Sequence, residues 1–151
     1  MNNVESRKIA RDFAYKLVFE YLFVKEINHD SLEKSLAATS TESNRDYISE
    51  AYIGVIEHYD ELIEVIKKYA RRFALERIYK SDLAALLLAI YEMKYIDNIP
   101  LSVSISEAVE LVKLYSTEKS NKFVNGLLSS VFKELSEPAV AEAEVVATEE
   151  V

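Results

Sequence analysis

Proline is absent from this chain before Pro100, and glycine occurs only twice in 151 residues. Tight chain reversals rely on those residue types, so hairpin-built sheets are disfavoured and helices joined by polar connections remain. The apolar pattern agrees. Ile9, Phe13, Leu17 and Tyr21 recur at four-residue steps with Ala10 and Ala14 beside them, which predicts a helix from about Val4 to Lys25. Residues 26–42 are polar and irregular, with a short helix expected around Leu32 to Ala38. Ser43, just before Arg45-Asp46, is a candidate N-cap. The periodic stretch from Tyr47 to Ala70 divides near His58-Tyr59-Asp60, and a helical turn is expected around Phe73 to Ile78.

The second half opens with "KSDLAALLLAIYEMKY", where Ser81-Asp82 supplies a cap and an acid in the first turn. The helix that follows is apolar almost all round and therefore central. Pro100 in "DNIPLSV" is its stop, and Ser104-x-x-Glu107 reads as the capping box of the next helix. The last helix starts near Thr117 to Ser120 and ends near Leu135, before an acidic Ala/Val/Glu-rich tail over 137–151 that is expected to be disordered. The fold class expected is all-α, with about seven helices.

The chain has no cysteine, which removes disulfides, thiolate nucleophiles and cysteine–zinc sites. No signal-peptide pattern is present, and the longest apolar block, "LAALLLAIY", is too short to span a membrane. A cytoplasmic protein without a membrane partner is the reading that remains. Net charge is −8, but residues 134–151 hold six glutamates and no Lys or Arg. Without them the chain carries 18 basic against 20 acidic residues, so its body is near neutral and can present a local basic patch.

Arg7, Lys8 and Arg11 form such a patch, suited to phosphates or simply to solvent. Tyr15 and Phe19 stand beside it as candidate base-stacking rings. In "KFVNGLLSSVFKEL", Asn-Gly is a common hairpin signal, yet Phe123, Leu127, Leu128, Val131 and Leu135 keep helical spacing. Lys122, Asn125, Gly126 and Ser129 then share one face. A mid-helix glycine costs about 1 kcal/mol relative to Ala, so Gly126 implies a close approach there, either by a nucleotide or by a packed helix. Glu107 and Glu110 lack the histidines of a carboxylate-bridged metal site. No catalytic triad, phosphate-cradling loop or nucleotide fingerprint is present, so neither an enzyme nor a cofactor is expected.

"RKIARDFAYKLVF", "LLLAIYEM" and above all "IPLSVSISEAVELVKLYSTEKSNKFVNGLL" resemble the NusB transcription antitermination family, over roughly residues 5 to 133. The resemblance implies two small helical bundles packed together, about 1–80 and 81–136. It implies a non-catalytic adaptor that binds boxA RNA jointly with the ribosomal protein NusE, within the RNA polymerase antitermination complex, in support of ribosomal RNA transcription. Family members occur as a monomer or a homodimer. The family's arginine-rich RNA contact falls on Arg7, Lys8 and Arg11, so the expected RNA-binding set is these three with Tyr15, Lys16, Phe19, Lys122, Phe123, Asn125, Gly126 and Ser129. Lys16 and Phe19 stand where Gln and Tyr are usual, Leu87 where Arg is common, and Ser129 where an acid often follows the "FVNG" segment. A helical protein-binding module without RNA contact is the alternative. The acidic tail is expected either to occupy the basic first helix transiently or to be an inert extension.

Overall fold

A computed structural model of the chain describes residues 6–71 and 74–136. The expected helix start at Val4, the residue Phe73 and the acidic tail lie outside the described residues. The elements are α1 (Arg7–Val24), α2 (His29–Ala37), α3 (Glu42–Glu57), α4 (Tyr59–Tyr69), a 3-10 turn (Leu75–Arg77), α5 (Lys80–Tyr95), α6 (Leu101–Tyr115) and α7 (Glu118–Ser136), with no strand among the described residues. The fold is all-α.

The apolar run of α5 explains the arrangement. Leu86, Leu87, Leu88 and Ile90 are all fully buried although they point in different directions around the helix. One helix buried on every side needs partners on every side. Helices α1, α3, α4, α6 and α7 all pack against α5; α1 also packs on α3, α6 on α7, and α4 touches α7. Burying a leucine side chain fully stabilises by about 1.5–3 kcal/mol. Leu87, in the position where the family commonly has an arginine, is one of these core residues.

Helix ends show where local signals were overridden. Ser6, Asn28 and Thr41 cap α1, α2 and α3 by accepting from backbone N–H groups in the first turn. Thr41, not Ser43, is therefore the third cap. Lys25 closes α1 in the left-handed region (φ 65°), its N–H donating to the Tyr21 carbonyl at 2.8 Å. The expected caps at Ser81 and Ser104 are not caps. α5 begins already at Lys80, and α6 begins directly after Pro100, whose backbone (φ −58°, ψ 139°) starts the helix at Leu101. Pro100 thus opens α6, while α5 ends earlier, at Tyr95. The hydroxyl and carboxylate of the supposed capping box are released for tertiary contacts.

The two glycines behave oppositely. A Cβ on Gly54 of α3 would run into the ring of Tyr91 on α5, so glycine is what lets these helices approach. Among the described residues, a Cβ on Gly126 would meet nothing within 4 Å. Of the two reasons expected for Gly126, a nucleotide or a packed helix, the packed helix is not found among the described residues: that face of α7 is open to them.

Candidate nucleic-acid interface

α1 carries two chemically distinct faces. On the inner one, Arg11 is 5% exposed and forks onto Glu92, itself 1% exposed, through Nε–Oε2 (2.8 Å) and Nη2–Oε1 (3.2 Å). Glu92 also accepts from the Ser104 hydroxyl at 2.8 Å and from the Tyr47 hydroxyl in a short bond. Glu107 stands 3.5 Å from the other guanidinium nitrogen of Arg11. Burial works against the arginine's charge, but its hydrogen bond to Glu92 and the charge of that carboxylate outweigh burial and hold the guanidinium above its ordinary pKa. Burial, reinforced by the Glu92 charge, pushes the Tyr47 phenol well up. Arg11 is thus a structural cation, and its placement as a surface contact is corrected. A charge in this position would be costly to leave unpaired, and the carboxylates of α5 and α6 satisfy it.

The remaining basic residues of the patch are tied differently. Arg7 donates to Asn44 Oδ1 (2.7 Å) and Ser43 Oγ (2.9 Å), with its guanidinium 4.8 Å from the Tyr47 ring centre. Lys8 is exposed and pairs with Glu107 at 3.0 Å. Ser104 and Glu107, three apart on α6, therefore reach the α5 carboxylate and the α1 cations instead of capping their own helix.

The outer face is an aromatic track with lysines over it. Tyr115, from the end of α6, lies against Tyr15 with ring centres 5.4 Å apart, Tyr15 lies 6.5 Å from Phe19, and Phe19 meets Phe23 edge-on at 5.0 Å. Tyr15 is buried, with its hydroxyl donating to the Ser81 carbonyl at 2.9 Å. It supports the track from beneath, so its reading as an accessible stacking ring is corrected. Tyr115 is partly exposed, Phe19 half-buried and Phe23 59% exposed. Lys16 Nζ sits 5.5 Å from the Tyr115 ring centre and 2.9 Å from Asp12, whose other oxygen accepts from the Tyr115 hydroxyl at 2.6 Å. The hydrogen bond to Asp12 raises the pKa of both Lys16 and the Tyr115 phenol. Lys80 Nζ covers Phe23 at 5.3 Å.

α7 does not lie along α1. α5 stands between them and touches both. Both segments reach the first turn of α5, α1 through the Tyr15 hydroxyl on the Ser81 carbonyl and α7 through the Ser120 hydroxyl on Asp82. There the buried Asp82 accepts from the hydroxyls of Ser116 (2.6 Å) and Ser120 (2.8 Å), and the Ser81 hydroxyl meets that of Ser116 at 2.8 Å. Farther along α7, Lys122, Asn125, Gly126 and Ser129 are exposed on one strip, with Ser129 Oγ donating to the Asn125 carbonyl at 2.7 Å. Phe123 is half-buried against the core.

Sequence reasoning missed Asp12, Phe23, Lys80 and Tyr115. The four-residue steps Asp12–Lys16 and Phe19–Phe23 were legible as one-face pairs; the contribution of Lys80 and Tyr115 required the packing of α5 and α6. Among the described residues no cluster of three or more metal-ligating side chains occurs, and no helix is long and apolar enough to cross a membrane.

A family model described as the NusB family matches residues 7–133. A transcription antitermination protein NusB of Acetivibrio thermocellus is 40% identical, with 84% of this chain and 88% of that protein aligned. Among solved structures, NusB of T. maritima superposes with a TM-score of 0.80 at 31% identity, over 86% of this chain and 92% of that one. A structure of the antitermination factors NusB and NusE in complex with dsRNA superposes at 0.75 with 25% identity, over 84% and 96% of the two chains.

Proposed function

The chain belongs to the NusB family of non-catalytic transcription antitermination factors, and from that premise we propose that it binds boxA-type single-stranded RNA jointly with the ribosomal protein NusE. In this reading it acts in the cytoplasm as an adaptor of the RNA polymerase antitermination complex and supports ribosomal RNA transcription. The observation that carries the proposal is the track Tyr115–Phe19–Phe23, exposed at Tyr115 and Phe23 and half-buried at Phe19, with Lys16 and Lys80 lying over its two ends. Unpaired bases stack on aromatic faces while lysines take the phosphates, and each stacked base is worth about 1–3 kcal/mol. The structural neighbour that pairs NusB with NusE and RNA supports the choice of partners.

In this proposal Lys8, Lys16, Phe19, Phe23, Lys80 and Tyr115 touch RNA. Arg7, Arg11 and Tyr15 hold the platform in place. Lys122, Phe123, Asn125, Gly126 and Ser129 form a second strip, where the open face at Gly126 admits a nucleotide backbone. A single chain offers few phosphate contacts, so binding alone is weak, with a shallow salt dependence of about 0.7 per contact in log–log form. The partner supplies the rest of the affinity.

Titrating boxA-type RNA into the chain with and without NusE tests this. Joint binding far tighter than either protein achieves alone, weakened by Phe23→Ala, is the expected result. Equal NusE binding with no RNA retained would instead establish the protein-only module. One feature favours that second reading: Lys8, Arg11 and Lys16 each already face a carboxylate.

A further inference from the structure

Among the described residues, a cluster of exposed cations lies at the C-terminal end of α4, away from α1. Lys67, Lys68 and Arg71 are all exposed there. Lys67 has only Glu64, 3.5 Å away, with both side chains more than half exposed. Among the described residues Arg71 reaches only the Lys68 carbonyl, at 3.4 Å. Basic groups at a helix C-terminus complement its dipole, but that effect is about 0.3–1 kcal/mol and needs no such cluster.

α7 ends at the same place. Glu134, in its last turns, bridges Lys68 Nζ at 2.5 Å and accepts from the Tyr69 hydroxyl. The described part of α7 reaches Ser136, two residues later, and the fifteen residues 137–151 contain Glu137, Glu142, Glu144, Glu149 and Glu150 and no Lys or Arg.

We propose that residues 137–151 dock in cis on the basic end of α4, extending the anionic contact that Glu134 begins, and shield Lys67 and Arg71 from other polyanions. Three observations converge on this occupant: the tail starts beside the patch, its charge is complementary, and Lys8, Arg11 and Lys16 of α1 each already face a carboxylate. A segment tethered this close has an effective concentration of about the millimolar order, enough to populate contacts too weak to form between separate molecules. The inference is independent of the RNA reading above.

The chain lacks cysteine, so Ala143→Cys in the full-length protein accepts a single nitroxide. Amide signals of residues 67–71 should broaden in about 20 mM salt and recover in about 0.5 M, where screening is several-fold shorter in range. Lys67→Glu with Arg71→Glu should abolish the effect. Deleting 137–151 should raise heparin affinity by roughly threefold to tenfold at low salt, and the double charge reversal should cancel that gain. Broadening centred on α1, or none at low salt, overturns the proposal. So does broadening in a mixture of isotope-labelled chains without nitroxide and nitroxide-bearing chains without isotope, which would mean docking between copies.

Discussion

The inner and outer faces of α1 use the same residue types for opposite ends. Inside, Arg11 is closed off by Glu92, Tyr47 and Ser104, and every polar atom in that knot has a partner. Outside, Lys16 shares Asp12 and Tyr115 in an exchangeable cluster, and Phe23 leaves most of its ring in solvent. Arg11 and Lys16 stand only five positions apart along the chain. What differs is desolvation: a charge removed from water must be matched permanently, whereas an exposed one can trade its partner for a phosphate at little cost.

That contrast predicts unequal responses to mutation. Glu92→Ala strands the Arg11 guanidinium and should destabilise by about 3–5 kcal/mol in chemical denaturation. A change under 1 kcal/mol would mean that water or another carboxylate reaches the site. Gly54→Ala should cost about 1–3 kcal/mol, because Tyr91 must shift.

On the outer face, Phe23→Ala should leave stability within about 0.5 kcal/mol, since surface changes rarely cost more. RNA affinity measured with NusE should then fall by about 1–3 kcal/mol, or roughly five- to 150-fold. Equal losses in folding and binding would erase the distinction between the faces.

Alkaline pH probes the inner face through Tyr47. Its phenol is held well above the ordinary value of 10, first by burial and then by Glu92. Its contribution is fully present below the unfolded-state pKa and is lost as pH rises toward the folded-state one, because the unfolded phenol ionises first. Stability should fall above pH 10, and Tyr47→Phe should flatten that slope by up to about 1.4 kcal/mol per pH unit. Identical slopes in the two proteins would show that Tyr47 is not shielded.

The smallest effect concerns Gly126, where added bulk meets open space. Gly126→Ala should stabilise by up to about 1 kcal/mol through helix propensity. Weaker RNA binding in the same variant, by gel shift or fluorescence anisotropy, would show that the open strip is used.

Helix number and type, the break near His58 and the central place of α5 were all legible, because apolar periodicity and the lack of turn residues are properties of the chain itself. The caps were less so. Ser81 and Ser104 had the right chemistry for capping, but the helices begin before them and their hydroxyls turn to Ser116 and Glu92. The basic patch was read as one surface of the first helix; its residues lie on α1, but Arg11 faces the interior. Helical phase separates Arg11 from Lys16, but only the arrival of Glu92 and Glu107 from helices about 80 to 100 positions away along the sequence shows which cation is consumed internally.

By itself the sequence determined an all-helical chain with one helix buried on every side, because period and turn content are local and the hydrophobic effect acts on them wherever the partners come from. Tertiary structure decided which charges face water and which glycine is obligatory. Those outcomes depend on desolvation and steric contact between residues distant in sequence, and neither exists until the helices have packed.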